Sequence, residues 1–434
     1  MVSESRRRAR AASMDPRDGA PGRSGVHWGM RVARRTAGFG ESVIRGMTRL
    51  AREHNAINLA QGFPNFPAPE LLKRAAVRAV ESDINQYAIT WGAQRLREAL
   101  AYKYGLWYGM AVDPDREITV TCGATEAMIA TLLALVDPGE EVVIFEPFYE
   151  NYGPDAILSD ARPVFVPLEP GRPLDLDRLA AAFSPRTRAI VINTPANPSG
   201  RVLSRAELEA IRDLCVRYGC IAVTDEIYEH MVYDGAHVPI ATLPGMAERT
   251  VTISGASKTF GVTGWRVGWA IAPEGLTDAI RKVHDFLTVG APAPLQEAVA
   301  VALERLDRRF YEELAAAYRA RRAILYDALT AGGFRCVPPE GAYYILADFS
   351  DLSDLPDTEF AVWLSREVGV TPVPGSSFFH DPAAGRSLVR FVFCKTDDVL
   401  LEAARRLAGL RAPDRREVRA DRRREAALRS GLQS

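Results

Sequence analysis

Cysteine is scarce and badly spaced for cross-linking. The 434-residue sequence holds five, Cys122, Cys215, Cys220, Cys336 and Cys394, an odd number with no CxxC pair. That pattern argues against a disulfide framework or a cysteine zinc site and for a reducing cytoplasm. Histidine is scarce too: the six are scattered without an HExxH pair, so nothing points to a catalytic metal. No apolar run approaches the roughly 20 residues that span a bilayer. Charge of one sign is not in excess either. The formal net charge is −1, which gives no bias toward nucleic acid or membrane. Apolar residues are plentiful instead: at 47% hydrophobic the chain can bury a large core, and its length suggests two domains.

Both ends lack patterning. Residues 1–29 are rich in Arg, Ser, Gly and Pro and alternate neither as helix nor as strand, which predicts a disordered extension. "SRRRAR" has the charge of a signal-peptide start, but no apolar segment follows it. Met30 precedes the first patterned stretch and is a second candidate start. At the other end, "RAPDRREVRADRRREAALRS" carries eight Arg against four acids. It reads as a solvated or frayed helical tail over 410–434 rather than a nucleic-acid arm.

Between the ends, amphipathic stretches alternate with short apolar runs. "PELLKRAAVRAV", "TEAMIATLLALV" and "SRAELEAIRDLCVRYG" have helical spacing. "EITVT" (117–121), "EVVIFE" (141–146), "AIVIN" (189–193), "IAVTDE" (221–226) and "TVTIS" (250–254) read as buried strands. This alternation predicts an α/β fold, a mostly parallel sheet between helices, over 57–300. A long helix to about 328 then leads to "FRCVPP", "GAYYILADF" and "SLVRFVFC", which predict a smaller α+β domain over 301–409, joined by the segment 31–56. Ligands in open α/β sheets bind beyond the carboxyl ends of the strands, so the residues following each strand are the candidates.

"CGATEA" places Gly123, Ala124 and Thr125 at a helix start, where free N–H groups and the helix dipole suit an anion. "PFYENY" offers Tyr149, and "TPANPSG" holds Asn197 between two prolines. "DEIYEH" brings Asp225, a costly carboxylate at the end of an apolar strand, and Tyr228. "SGASKTFGVTGWRVGWA" clears bulk around Lys258 and sets Arg266 in an apolar context. It is not a Walker A loop, whose glycines would fall at Thr252 and Ser257. Arg390 sits mid-strand among apolar neighbours. Taken singly, each has a plain alternative: core packing for Tyr149, a turn for Asn197, a structural salt bridge for Arg390. Together they supply what pyridoxal phosphate requires: a Schiff-base lysine, an acid for the ring nitrogen, donors for the ring oxygen and a phosphate cup.

Those motifs in that order, with "NLAQGFPNF", "NQYAITWGAQRLREAL", "GAYYILAD" and "RFVFCK", resemble the class I/II aminotransferases of fold type I over residues 31 to about 409. Within the family the resemblance is strongest to kynurenine, glutamine and methionine aminotransferases and to N-succinyldiaminopimelate aminotransferase-like enzymes. It implies a pyridoxal-phosphate enzyme that moves an α-amino group to a 2-oxo acid by a ping-pong course through a Lys258 aldimine, Lys258 then serving as base. It further implies that Asp225 holds the ring nitrogen protonated, Asn197 and Tyr228 bond the ring oxygen, and Tyr149 stacks on the ring. The phosphate would rest on Gly123, Ala124 and Thr125, with Ser257 and Arg266. One departure stands out: serine is common three residues before the lysine, and here Gly255 is there with Ser254 before it. Ser254 is therefore left unassigned.

By the same resemblance Arg390 takes the substrate α-carboxylate in a two-pronged grip, and Gly62 lets the backbone approach it. Tyr87 would reach the phosphate of a neighbouring subunit, implying a homodimer with shared sites. As a core tyrosine it would be unremarkable. Trp91 and Phe39 would line the side-chain pocket, suggesting an apolar, aromatic or sulfur-containing substrate. Two rival functions share these residues. A cysteine-conjugate β-lyase would use all of them. A non-catalytic sensor would need a DNA-binding domain ahead of the fold, for which about 30 unpatterned residues are too few.

Overall fold

The computed structural model of the chain describes residues 33, 35–36 and 39–410. The predicted extension over 1–29 and, beyond Leu410, the predicted tail lie outside the described residues. In chain order the strands are β1 (Ile57–Asn58), β2 (Ile118–Thr121), β3 (Glu141–Glu146), β4 (Arg162–Pro167), β5 (Thr187–Asn193), β6 (Ile221–Asp225), β7 (Thr250–Gly255) and β8 (Gly268–Ile271). They continue as β9 (Arg335–Cys336), β10 (Tyr344–Asp348), β11 (Val370–Thr371), β12 (Val373–Pro374) and β13 (Leu388–Val392).

Seven of them form one sheet in the order β2-β8-β7-β6-β5-β3-β4, all parallel except β8, which runs against β2 and β7. Successive side chains on a strand point to opposite faces, so a near-continuous apolar run serves two helical layers. Val142 and Ile144 pack toward Met128 and Leu132 of the helix Ala124–Leu135 and Ile280 of the helix Glu274–Leu287. Val143 and Phe145 pack toward Leu208 and Ile211 of the helix Arg205–Tyr218 on the other face. That helix starts at a Ser204–Glu207 capping box and stops at Gly219 in the left-handed conformation.

A second sheet, β12-β13-β10-β9, is antiparallel. Its core includes Tyr318 and Leu325 of the helix Arg308–Ala331 and Leu400 and Leu407 of the helix Asp397–Ala408. The helix Val43–Glu53 adds Met47 to the same core, and β1 pairs in parallel with β11. All five cysteines are free. Among the described residues no helix is long and apolar enough to cross a membrane.

The carboxyl ends of β2, β3, β5, β6 and β7 share one edge of the large sheet because the strands are parallel. Each ends at or shortly before a residue singled out from the sequence.

Candidate active site

At the end of β2 the chain turns through Gly123, with φ at +86°, into the helix that begins at Ala124. A side chain at Gly123 would run into the Arg266 guanidinium. Gly268, the first residue of β8, is needed for a different reason: a Cβ there would overlap the backbone of Gly123 and Ala124. Arg266 itself is left-handed, with φ at +55°, a conformation that costs a non-glycine residue about 1–2 kcal/mol. Its guanidinium donates to the Thr263 and Cys122 carbonyls at 3.0 and 3.2 Å, and among the described residues no carboxylate pairs with it. Ala124, Thr125, Ser257 and Arg266 line one end of a cleft. Free helix N–H groups beside an unpaired guanidinium make that end a place for an anion.

Asp225 ends β6 in the wall of the same cleft. Burial raises its pKa, opposed by the Tyr152 hydroxyl, which donates to Oδ2 at 2.7 Å, by the Ile227 N–H, and by nearby Lys258. Lys258 follows β7 on the short helix Ala256–Thr259. Desolvation pulls its amine down to about 8, against Cys394 and Asp225, which favour the charge. Its Nζ donates to the Gly62 carbonyl at 3.3 Å, which also accepts from Tyr343 at 2.9 Å. The Tyr228 and Tyr344 hydroxyls meet at 2.6 Å, and Tyr149 forms another part of the wall, edge-on to Tyr152.

Arg390, midway along β13, is 1% exposed. It donates to Asn197 Oδ1 at 2.7 Å and to the Ala60 carbonyl at 2.6 Å, and lies between the Tyr344 and Phe378 rings. The structural salt bridge that the sequence allowed for it is not there: among the described residues it has no acidic partner, and its buried Nε has no acceptor. A buried cation without a counter-charge is expensive unless a ligand supplies one.

Not every candidate reaches the cleft. Tyr87 is 85% exposed, away from the cleft of its own chain. The Trp91 ring lies under Arg281, whose guanidinium also bonds the carbonyl of Ile118 at the opposite end of β2. Phe39 is half-buried and not part of the wall. Ser254, the serine without an assignment, faces away: it donates to Glu229 Oε1 at 2.9 Å, beside a buried Lys103–Glu229 ion pair at 2.6 Å.

Sequence reasoning also passed over Tyr152, Tyr344 and Asp155. Tyr152 opens the helix Tyr152–Leu158 three residues after Tyr149, and that short spacing was the available signal. Asp155, one turn further, lines the cleft with a buried Oδ2 that has no partner among the described residues, and desolvation pushes its carboxyl up to about 7. The folded chain therefore keeps a proton that the unfolded chain releases near pH 3.9, so stability falls as pH rises from about 4 to about 7. Asp155→Asn should raise stability by about 2–4 kcal/mol near pH 8 and by much less near pH 5, read from thermal unfolding of the cofactor-free chain. An equal gain at both pH values would contradict that assignment.

A family profile described as aminotransferase class I and II matches residues 54–407. The chain belongs to that family. It is 44% identical over 385 residues to the probable N-succinyldiaminopimelate aminotransferase DapC of Mycobacterium tuberculosis, covering 86% of this chain and 96% of the relative. The methionine aminotransferase of Escherichia coli is 40% identical, with the same coverage of each chain. The solved N-succinyldiaminopimelate aminotransferase of M. tuberculosis superposes with a TM-score of 0.85 at 42% identity, over 87% of this chain and 99% of that one. These matches support an aminotransferase and lend nothing to the β-lyase or sensor readings. Class I and II aminotransferases use pyridoxal phosphate. The residues present fit it: an anion cup with an unpaired arginine, a desolvated lysine, and a carboxylate held by a tyrosine.

Proposed function

We propose that this aminotransferase binds pyridoxal phosphate at Lys258 and transfers the amino group of an apolar, aromatic or sulfur-containing amino acid to a 2-oxo acid. The observation that carries this reading is the meeting of Lys258, Asp225 and the Arg266 cup in the walls of one cleft. When bound, the cofactor supplies an aldehyde for the substrate amine and a ring that takes up the electrons released on deprotonation. The N–H groups of Ala124 and Thr125, with Ser257 and Arg266, hold its phosphate. Asp225 accepts the ring N–H, and the Tyr152 hydroxyl that donates to its Oδ2 favours its charged form against burial. Asn197 and Tyr228 bond the ring oxygen, and Tyr149 covers the ring face. Arg390, steadied by Asn197 and the Ala60 carbonyl, grips the α-carboxylate, and the Lys258 amine carries the α-proton.

The aromatic wall of Tyr149, Tyr228 and Tyr344 supports an apolar side chain on the donor. So do relatives named methionine aminotransferase and kynurenine–oxoglutarate transaminase. A homodimer is supported by exposed apolar side chains on neighbouring segments, with Tyr87 and Ile89 on one and Phe286, Leu287 and Val289 on the other. Domain limits of 57–300 and 301–409 belong to the same proposal, as does a cytoplasmic setting for its free thiols.

The test is an amino-donor screen of the purified protein with pyridoxal phosphate, against 2-oxoglutarate and pyruvate. Methionine, kynurenine, glutamine or phenylalanine should outpace aspartate, and the protein should scatter light as a dimer. A lack of acceptor-dependent turnover would sink the functional reading, and a fully active monomer the shared-site reading.

A further inference from the structure

Glu126 is a strange residue to find behind an anion cup. It is the third residue of the helix that starts at Ala124, it is buried, and its charge has the same sign as a phosphate. Its Oε2 accepts from the Cys122 N–H, and the carbonyl of that same Cys122 accepts from Arg266. One residue therefore links Glu126 to the arginine of the cup. Its Oε1 accepts from the Thr288 hydroxyl at 2.7 Å and faces His284 Nδ1 at 2.6 Å.

His284 is fully buried, and its other nitrogen, Nε2, faces the Thr90 carbonyl at 2.8 Å. A carbonyl oxygen only accepts, and so does a carboxylate. Both ring nitrogens must then carry hydrogen, and an imidazole with two N–H groups is a cation. We infer that His284 is a fixed imidazolium that cancels the charge of Glu126, and so is a positioning residue for the anion cup. This inference rests on the proposed cofactor site.

Burial opposes charge on both partners. Their mutual bond, the Thr90 carbonyl, the Cys122 N–H and the Thr288 hydroxyl outweigh it, so His284 is shifted up and Glu126 down. The other groups nearby do not replace the pair. On the same helix Asp285 is adjacent and favours the charge, while Arg281 is committed to the Asp115 and Ile118 carbonyls. From the neighbouring segments, Arg266 reaches the Cys122 carbonyl, and the Cys122 thiol points to the Gly290 carbonyl with its pKa raised by burial and by Glu126. Because the folded pKa of His284 is raised, its charge is present at low pH and lost as pH passes that value. Above it Glu126 is left uncompensated, and affinity for a phosphate dianion falls.

The test uses the full chain stripped of cofactor and titrated with pyridoxal phosphate and, separately, inorganic phosphate. His284→Gln leaves Glu126 alone and should weaken both about tenfold or more. Glu126→Gln/His284→Gln removes both charges and should return affinity to within about threefold of the parent, although it loses more hydrogen bonds. A double variant no tighter than the single one would make the pair merely structural and overturn the inference. Nitrogen NMR of the unsubstituted chain is independent of any variant's folding. It should find both His284 ring nitrogens protonated near neutral pH, and a neutral ring there overturns the inference. If the parent binds neither probe, the cofactor reading itself fails.

Discussion

Lys258→Ala is expected to cut turnover by at least about 10³-fold and to remove the near-visible absorbance that pyridoxal phosphate gives the loaded protein. The loss should be chemical and not structural. Among the described residues the amine makes one hydrogen bond, to the Gly62 carbonyl, which keeps the Tyr343 hydroxyl when the lysine is gone. Its desolvation works against the charged form, so truncation removes an unfavourable burial. Circular dichroism should therefore show an intact fold beside a dead enzyme. With its pKa lowered to about 8, the free amine is a competent base near neutrality, whereas an ordinary lysine would stay protonated. Retained transamination in this variant would refute the assignment outright.

Arg390→Lys is expected to lower kcat/KM by about 10²–10³-fold, with the KM values of amino donor and oxo acid rising together. Two of the five guanidinium hydrogens are spent on Asn197 and Ala60, which leaves the Nε hydrogen and one on each terminal nitrogen for a carboxylate. A lysine has three donors on one atom and cannot hold both framework contacts while presenting a planar fork. Both substrates carry the same α-carboxylate, so a grip on it must appear in both constants. Unchanged KM values would assign Arg390 to the fold alone.

Much of this site could be read from the chain because its parts follow strands. β3 was expected at 141–146 and lies there, and the ends of β5, β6 and β7 deliver Asn197, Asp225 and Lys258 to one edge. What escaped were residues whose role depends on a partner far away in sequence. β4, an edge strand with Pro at both Pro163 and Pro167 and only half covered, lacks the buried run that betrayed the others. Trp91 and Phe39 were placed by resemblance in the pocket; within one chain neither lines the cleft, and the Trp91 ring packs under Arg281.

By itself the sequence determined the periodicities, and through them the parallel sheet, its loaded edge and the chemistry of the residues there. Periodicity is a local property, set by backbone sterics and by which face must be dry. Only the tertiary structure decided which way each polar side chain turns. Ser254 faces Glu229 instead of the cup, Arg390 has no acidic partner among the described residues, and Glu126 meets His284 from 158 residues away. Those pairings arise from register and layer packing between distant segments, where no spacing in the chain records who will stand opposite whom.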